Sequence, residues 1–201
     1  MPTTDRERLQ GLARRRGVIT ARAARRQAIH SQQLTRLVAD GTLERIARGH
    51  YRLAGRPITE HHALAMTARA APRGVICLLS ALGYHGIGTQ LPAAVWIAIE
   101  RGTRAPRLAQ VPLQVIRSTG AAFAEGIEIH RIEGETVRVF GVAKTLADLF
   151  KHRSKVGIDV AIEALREAWR RKMFTMEALD RAARACRVER VMRPYVEAVV
   201  A

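Results

Sequence analysis

The sequence predicts an α+β protein: an N-terminal winged helix-turn-helix followed by a C-terminal mixed α/β domain with a small sheet and a helical C-terminal part. Three short helical patterns in a row, with a basic hairpin directly after the third, predict the first domain. Strand-like runs followed by amphipathic helical runs predict the second domain. A Gly-Arg-Pro connector near residue 56 separates them, so the expected domains are residues 1–56 and 57–201.

Composition indicates a folded protein with an anionic partner. The chain has 201 residues, 48% of them hydrophobic and 26% charged, which is enough apolar material for a packed core. Thirty-four basic against eighteen acidic side chains give a formal net charge of +16. Genome composition can explain a preference for Arg over Lys, but not this excess over Asp and Glu. A polyanion, nucleic acid above all, is therefore the expected partner.

Cysteine usage and hydropathy bear on location. Cys77 and Cys186 belong to no C-x-x-C pair, so neither a disulfide framework nor a structural zinc site is expected, and both thiols are expected to be reduced. The first residues are polar, and no apolar stretch approaches the roughly 18 residues that span a bilayer. We expect a soluble, cytoplasmic protein that does not associate with a membrane.

The first two helices are predicted from capping residues and apolar spacing. Residues 4 to 16 place Leu9 and Leu12 at helical spacing before Gly17 ends the pattern. After a Gly-Val-Ile connection, Thr20 is the predicted N-cap of a second helix that runs to about Ala28. Its arginines make one side strongly basic: Arg22, Arg25 and Arg26.

A third helix is predicted from Ser31, as N-cap, to Asp40, with Gly41 supplying the left-handed residue at its end. Its apolar stripe consists of Leu34, Leu37 and Val38. At 100° per residue, the side chains opposite or beside this stripe are Gln32, Gln33, Thr35 and Arg36. Arg can donate two hydrogen bonds to guanine, and Gln can pair with an adenine edge, so these four residues are the predicted base-reading set.

Solvent-facing Gln and Arg are common on helices, so these residues alone do not indicate DNA binding. The segment after the third helix supplies the additional support. Two short strands, Leu43 to Ile46 and His50 to Leu53, flank a turn with Arg48 and Gly49. A helix followed at once by a basic hairpin is the winged order, in which the wing contacts phosphates. The expected phosphate and wing residues are Arg22, Arg25, Arg26, Arg45, Arg48, His50 and Arg52. The distribution of charge supports this interpretation. Residues 1 to 70 have a net charge of +9 and residues 71 to 201 a net charge of +7, so the charge density is higher in the predicted DNA-binding part.

The string "GVITARAARRQAIHSQQLTRLVADGTLERIARGHYRL" resembles the N-terminal domain of the AbiEi family of antitoxins and transcriptional regulators. The resemblance lies in "LTRLVADGTLERI" and "RGHYRL" and continues more weakly through "LLSALGYHGI" and "GVAKTLADLF". His50 departs from the aliphatic residue expected at its position. The resemblance implies a recognition helix at residues 31–40 and a wing at "RGHYR". It also implies repression of the protein's own operon through double-stranded operator DNA and opposition to a nucleotidyltransferase-like toxin of a type IV toxin-antitoxin system.

In the second domain, a helix capped by Thr59 is expected to run to Ala71, and "VICLLSALGYHGIG" is expected to form one buried helix. The predicted strands are Ala94 to Ile99, Leu113 to Arg117, Ile127 to Ile132 and Thr136 to Phe140. The predicted helices that follow are Lys144 to His152, Val156 to Lys172, Thr175 to Cys186 and Val188 to the end.

No catalytic set is recognisable in the sequence. The histidines are scattered without ligand spacing, and no Walker loop, G-x-S-x-G elbow or paired carboxylates for two metals occur. Lys144 with Asp148 invites an active-site interpretation, but we expect Thr145 to cap a packed helix and Lys144 to lie at the surface. Trp169 and the stripe from Ile158 to Leu165 are expected in the core or a subunit interface. We expect no enzyme, metal or cofactor.

Three alternatives to a DNA-binding antitoxin stay open. The protein is a plain winged-helix repressor without a toxin partner, or an antitoxin that binds its toxin directly with little DNA binding, or an enzyme that modifies the toxin or a nucleotide. A DNA-reading domain does not distinguish among them, because it says nothing of what else its operon encodes.

Overall fold

The computed structural model describes residues 7–9, 11–12, 18–54, 60–90 and 92–200. They divide into an N-terminal unit, residues 1–62 with 131–135, and a C-terminal unit made of residues 63–130 and 136–201. The rest of the predicted first helix, the Gly55-Arg56-Pro57 connector and the Thr59 cap lie outside the described residues. Helices and sheets are both present, which confirms the predicted α+β class.

The N-terminal unit contains helical residues 7–9 and 11–12, then two helices and three strands. In chain order these are β1 (Val18–Thr20), α1 (Ala21–Arg26), α2 (Ser31–Ala39), β2 (Leu43–Ala47) and β3 (His50–Leu53). Thr20 is the predicted N-cap of α1, and its side chain accepts a hydrogen bond of 3.0 Å from the backbone N–H of Ala23. Gly41 has the predicted left-handed φ, +71°.

Strand β1 is absent from the sequence prediction, which treated these residues as a connection. The sheet order is β1-β3-β2, with β3 antiparallel to both neighbours. Ile19 lies opposite Tyr51, and Tyr51 lies opposite Arg45 on the other side. The hairpin therefore has a third strand that joins it to the start of α1.

One apolar cluster forms the core of the N-terminal unit. Each of its members is at most 3% exposed, and together they come from both helices, the sheet and the first helical residues: Leu9, Leu12, Ile19, Ala24, Ile29, Leu34, Leu37 and Leu43. Burying an aliphatic side chain of this size stabilises a fold by roughly 1.5–3 kcal/mol. Helix α2 contributes Leu34 and Leu37, so its orientation depends on this cluster.

The chain after residue 60 contains five strands and eight helices within the described ranges. The strands are β4 (Val75–Ile76), β5 (Val95–Glu100), β6 (Leu113–Ser118), β7 (Ile127–Ile132) and β8 (Glu135–Phe140). The helices are α3 (His62–Ala70), α4 (Leu78–Tyr84), α5 (Ala121–Ala124), α6 (Val142–Lys151), α7 (Arg153–Val156), α8 (Ile158–Arg170), α9 (Met176–Cys186) and α10 (Glu189–Val200).

These five strands form one sheet in the order β6-β5-β4-β8-β7. Strand β4 runs antiparallel to β5 and parallel to β8, and β5 runs parallel to β6, so the sheet is mixed. The single buried helix predicted over "VICLLSALGYHGIG" is wrong at its start. Val75 and Ile76 form the central strand β4, because the backbone pairs with Ala98, Ile97 and Val139 on its two sides.

Buried faces of α4, α6, α8, α9 and α10 pack with the sheet around one apolar core. Phe140, Phe150 and Leu146 lie within it, each at most 1% exposed. Among the described residues, no helix combines the length and apolarity needed to cross a bilayer.

Lys144 is the main correction to the predicted second domain. Helix α6 begins at Val142 with Gly141 as N-cap, and Lys144 is only 1% exposed instead of lying at the surface. Its ammonium lies 2.5 Å from Asp148 Oδ2 and 4.0 Å from the centre of the Phe140 ring. Thr145 does not cap the helix, and its hydroxyl donates to the Phe140 carbonyl instead. Lys144 and Asp148, one helical turn apart, form a buried ion pair, which explains why both charged side chains can lie in the core.

Both cysteines are buried and free, close to this ion pair. Cys186 Sγ donates to Asp148 Oδ1 at 3.2 Å. Burial, and next the nearby Asp148 carboxylate, raise the pKa of Cys186 to about 12. The same two causes raise the pKa of Cys77 well above its ordinary value. Both thiols therefore stay protonated at neutral pH and act as packing groups.

Replacing Asp148 with Ala tests the structural role of the pair. The variant leaves the Lys144 ammonium buried without a counter-charge, so we expect a loss of about 3–5 kcal/mol in the free energy of unfolding, measured by urea denaturation. The double variant Lys144→Met with Asp148→Leu is expected to recover most of that loss. A double variant as unstable as Asp148→Ala would contradict a purely structural role.

Candidate nucleic-acid interface

The outer face of α2, defined as Gln32, Thr35 and Arg36, is exposed. Leu34 and Leu37 of the same helix are 1% and 3% exposed, so the helical period of 3.6 residues directs the three polar side chains away from the core. Gln33, also predicted to read bases, is only half-buried at the edge of this face. The Thr35 hydroxyl donates to the Ser31 carbonyl at 3.4 Å, a weak contact that a new partner can replace.

Charge on α2 is arranged for an anion. The first turn of α2 has no acidic residue, and neither has the first turn of α1. Over the described part of the chain, Arg36 takes part in no salt bridge. The positive, N-terminal end of α2 is therefore free of acidic side chains and favours an anion, while Arg36 in the last turn adds a second donor group.

The turn between the helices determines where α2 begins. Ala28 is left-handed at φ +58°, the Ala28 N–H donates to the Arg25 carbonyl, and the Ile29 N–H donates to the Ala24 carbonyl. These two bonds with buried Ile29 form a Schellman ending, so α1 stops at Arg26, two residues before the predicted end. The predicted N-cap at Ser31 is wrong, because the N-cap is His30, whose carbonyl accepts the N–H of Gln33.

The basic residues of α1 lie on its exposed side. Ala24 is the buried residue of α1, whereas Arg22, Arg25 and Arg26 are all exposed. Arg25 and Arg26 occupy the last turn of α1, next to the turn that leads into α2. All three predicted phosphate-binding residues of this helix are accessible.

The tip of the β2–β3 hairpin presents further arginines. Arg45 and Arg48 are exposed, and Arg48 lies in the turn with Gly49, which has φ +75°. The Gly49 carbonyl accepts the Ala21 N–H at 2.8 Å, which ties the hairpin tip to the start of α1. The turn is therefore held against the helical part of the unit.

Two predicted wing residues are placed differently from the others. Arg52 is 15% exposed in its side chain, and its Nε donates to Glu44, the residue opposite it in the β2–β3 register. His50 is half-buried, and its Nδ1 donates to the Arg48 carbonyl at 3.0 Å. The sequence analysis did not identify Glu44 as the partner of Arg52, although opposite charges often pair across neighbouring strands.

The histidines of the chain do not converge. His62 Nδ1 lies 2.6 Å from Glu133 Oε2, His130 contacts Glu128, and His85 Nε2 donates to the Phe140 carbonyl. Within the described ranges, no three His, Cys, Asp or Glu residues are grouped to hold a metal ion.

The comparison with protein families assigns a class to the N-terminal region. Residues 7–54 match the model of the AbiEi family, whose description is "Transcriptional regulator, AbiEi antitoxin". The resemblance derived from the sequence is confirmed over these residues, which contain α1, α2 and the hairpin. The weaker resemblance at "LLSALGYHGI" and "GVAKTLADLF" lies beyond the matched range.

A solved structure has the same overall fold. The crystal structure of the Rv2827c protein from Mycobacterium tuberculosis is similar with a TM-score of 0.60 and 14% sequence identity, over 99% of this chain and 81% of that chain. At this identity the similarity establishes the fold alone. No curated protein matches the chain.

Replacing Ala28 with Gly tests the turn that positions α2. A left-handed residue other than Gly is strained, so we expect the variant to be more stable by roughly 0.5–1 kcal/mol in chemical denaturation. The matched control is Ala23→Gly inside α1, where right-handed helix costs Gly roughly 0.5–1 kcal/mol relative to Ala. Two variants with losses of equal size would show that Ala28 is not held in a left-handed turn.

Proposed function

We propose that the N-terminal domain, residues 1–56, is a winged helix-turn-helix that binds operator DNA. In this proposal α1 and α2 are the helix-turn-helix, α2 enters the major groove, and the β2–β3 hairpin is the wing. The observation that carries the proposal is the exposed outer face of α2, together with exposed arginines on α1 and the β2–β3 hairpin. The match of residues 7–54 to a family of transcriptional regulators supports it.

In the proposed complex, Arg36 and Gln32 read base edges. The Arg36 guanidinium can donate two hydrogen bonds to O6 and N7 of guanine, and the Gln32 amide can pair with N6 and N7 of adenine. Gln33 and Thr35 assist from the edge of the same helix. Gln32 and Gln33 lie in the first turn of α2, the part of a recognition helix that contacts bases in this class of motif.

Phosphate contacts are proposed for the exposed arginines on both sides of α2. They are Arg22, Arg25 and Arg26 on α1, with Arg45 and Arg48 on the wing. Arg52 is left out of this set, because its guanidinium is bound to Glu44 and mostly buried. His50 is assigned to holding the turn through the Arg48 carbonyl.

We propose further that the protein represses its own operon and counteracts a nucleotidyltransferase-like toxin encoded beside it, with the second domain, residues 57–201, serving the antitoxin function or assembly. The antitoxin part rests on the description of the matched family. Occupying an operator needs no chemical step, so we propose action by binding, without catalysis or a cofactor. Because operator binding takes place where the DNA is, we propose a cytoplasmic location.

Arg36→Ala and Arg48→Ala are expected to affect DNA binding differently. Arg36→Ala is expected to cost about 1–3 kcal/mol on the operator and to relax specificity at one base position. Arg48→Ala is expected to weaken all sequences alike and to reduce the salt slope by about one phosphate contact. The measurement is an electrophoretic titration of operator and scrambled DNA at several salt concentrations.

The matched control is Arg170→Ala, an exposed arginine of the C-terminal unit that removes the same charge. If all three variants weaken operator and scrambled DNA equally, binding depends on net charge and the proposed interface is wrong.

Toxin neutralisation is expected to survive the loss of DNA reading. Co-expression of Arg36→Ala with the neighbouring gene product should rescue growth like the wild type, while a reporter of the operon promoter is derepressed. Growth rescue lost together with repression would contradict an antitoxin function in the second domain. A neighbouring gene product that is harmless without this protein would instead favour the plain repressor.

A further inference from the structure

A cavity of about 480 Å³ opens in the C-terminal unit, and none of its described lining residues belongs to the set proposed to bind DNA. Its wall is formed where α3 leads into β4 and where β5 ends. The loop after β5, the short helix α5 and Arg138 of β8 complete it. This volume is in the range of pockets that hold small organic ligands.

Among the charged residues that line the cavity, basic residues outnumber acidic ones. Of the described lining residues, Arg73, Arg104 and Arg138 bring guanidinium groups to the cavity, and Glu100 brings a carboxylate. Arginine presents a planar fork of donors that matches phosphate oxygens, so the wall favours a phosphorylated ligand over a neutral one. Glu100 adds an acceptor for a hydroxyl or amino group of the same ligand.

Hydrogen bonds hold this wall in place before any ligand arrives. Arg138 Nη1 donates to the Arg73 carbonyl at 2.7 Å. This bond holds the Arg138 guanidinium beside the turn that contains Arg73. The loop after β5 is held by Arg117 Nη1, which donates to the Thr103 carbonyl at 2.8 Å. A preformed site loses less conformational entropy on binding.

An apolar surface lies beside the charges. Phe123 and Ile99 line the same cavity, and Phe123 is partly buried against the core of the unit. An aromatic ring can stack on a planar base. Inorganic phosphate alone would leave this apolar surface uncovered.

The position in the sheet agrees with a ligand site. Strands β5 and β6 are parallel, with Glu100 paired to Ser118, so their carboxyl ends meet at the edge where the cavity opens. Crevices outside the carboxyl ends of parallel strands are common ligand sites in α/β sheets.

We propose that this cavity, which we name the arginine pocket after Arg73, Arg104 and Arg138, binds a nucleotide. The phosphates contact the three guanidinium groups, the base packs on Phe123, and Glu100 accepts a hydrogen bond from a hydroxyl or amino group. Charge and apolar surface together distinguish this ligand from free phosphate. The concave shape distinguishes it from the backbone of duplex DNA. The proposal does not depend on DNA binding by the N-terminal domain.

Isothermal titration calorimetry of the full chain with ATP and with GTP tests the arginine pocket. We expect saturable binding of at least one of them, and binding at least tenfold weaker for the unphosphorylated nucleoside and for inorganic phosphate. Arg104→Glu is expected to weaken the nucleotide at least tenfold. The matched control is Arg107→Glu in the same loop, exposed like Arg104 but not part of the cavity wall, with an expected change of less than twofold.

A second variant addresses the base. Phe123→Leu is expected to weaken the nucleotide severalfold while leaving the weak binding of inorganic phosphate unchanged. Far-UV circular dichroism and the thermal midpoint of each variant establish that it is folded. A nucleotide-induced rise in the midpoint of the wild type is an independent readout that needs no variant.

Four results would overturn the proposal. The first is no saturable binding of either nucleotide, and the second is an equal loss of nucleotide affinity in Arg104→Glu and Arg107→Glu. The third is inorganic phosphate binding as tightly as the nucleotides. The fourth is no nucleotide binding combined with a loss of DNA affinity in Arg104→Glu alone. The last result would assign the cavity wall to DNA instead.

Discussion

The burial of Leu34 and Leu37 is the constraint on which the proposed DNA interface depends. The N-terminal unit has a small core, and α2 contributes these two side chains to it together with partly buried Val38. Because successive helical residues turn by about 100°, burying this stripe leaves Gln32 and Arg36 no position but the outer face. Apolar packing on one side of α2 thus determines which polar groups are available on the other.

Charge pairing then decides which arginines are available to a ligand. Arg52 lies opposite Glu44 in the hairpin register and is neutralised there, whereas Arg36 and Arg48 lack a carboxylate partner within the described residues. In the C-terminal unit the same principle acts inside the core, where Lys144 pairs with Asp148. A basic side chain is therefore available to bind an anionic ligand only where no neighbouring carboxylate neutralises it.

Sequence reasoning succeeded for several features with a local signal, although the local capping predictions at Ser31 and Thr145 were wrong. The helical stripe of α2, the Thr20 cap and the left-handed Gly41 all follow from residues within one or two turns. Strand β1 could not be predicted, because Val18–Thr20 is too short for a pattern and its partner β3 is distant in the chain. Lys144 was assigned to the surface because buried lysine is rare; its i,i+4 partner Asp148 is visible in the sequence, but the burial of the pair in the core is not.

The central claim is that the outer face of α2 contacts base edges in the major groove. Dimethyl sulfate footprinting tests it most directly, because the reagent methylates guanine N7, the acceptor proposed for Arg36. The proposed complex predicts guanines of the operator that are protected by the wild-type protein, and a single guanine in each binding site that becomes reactive again with Arg36→Ala at saturating protein. Identical protection by both proteins would contradict the claim.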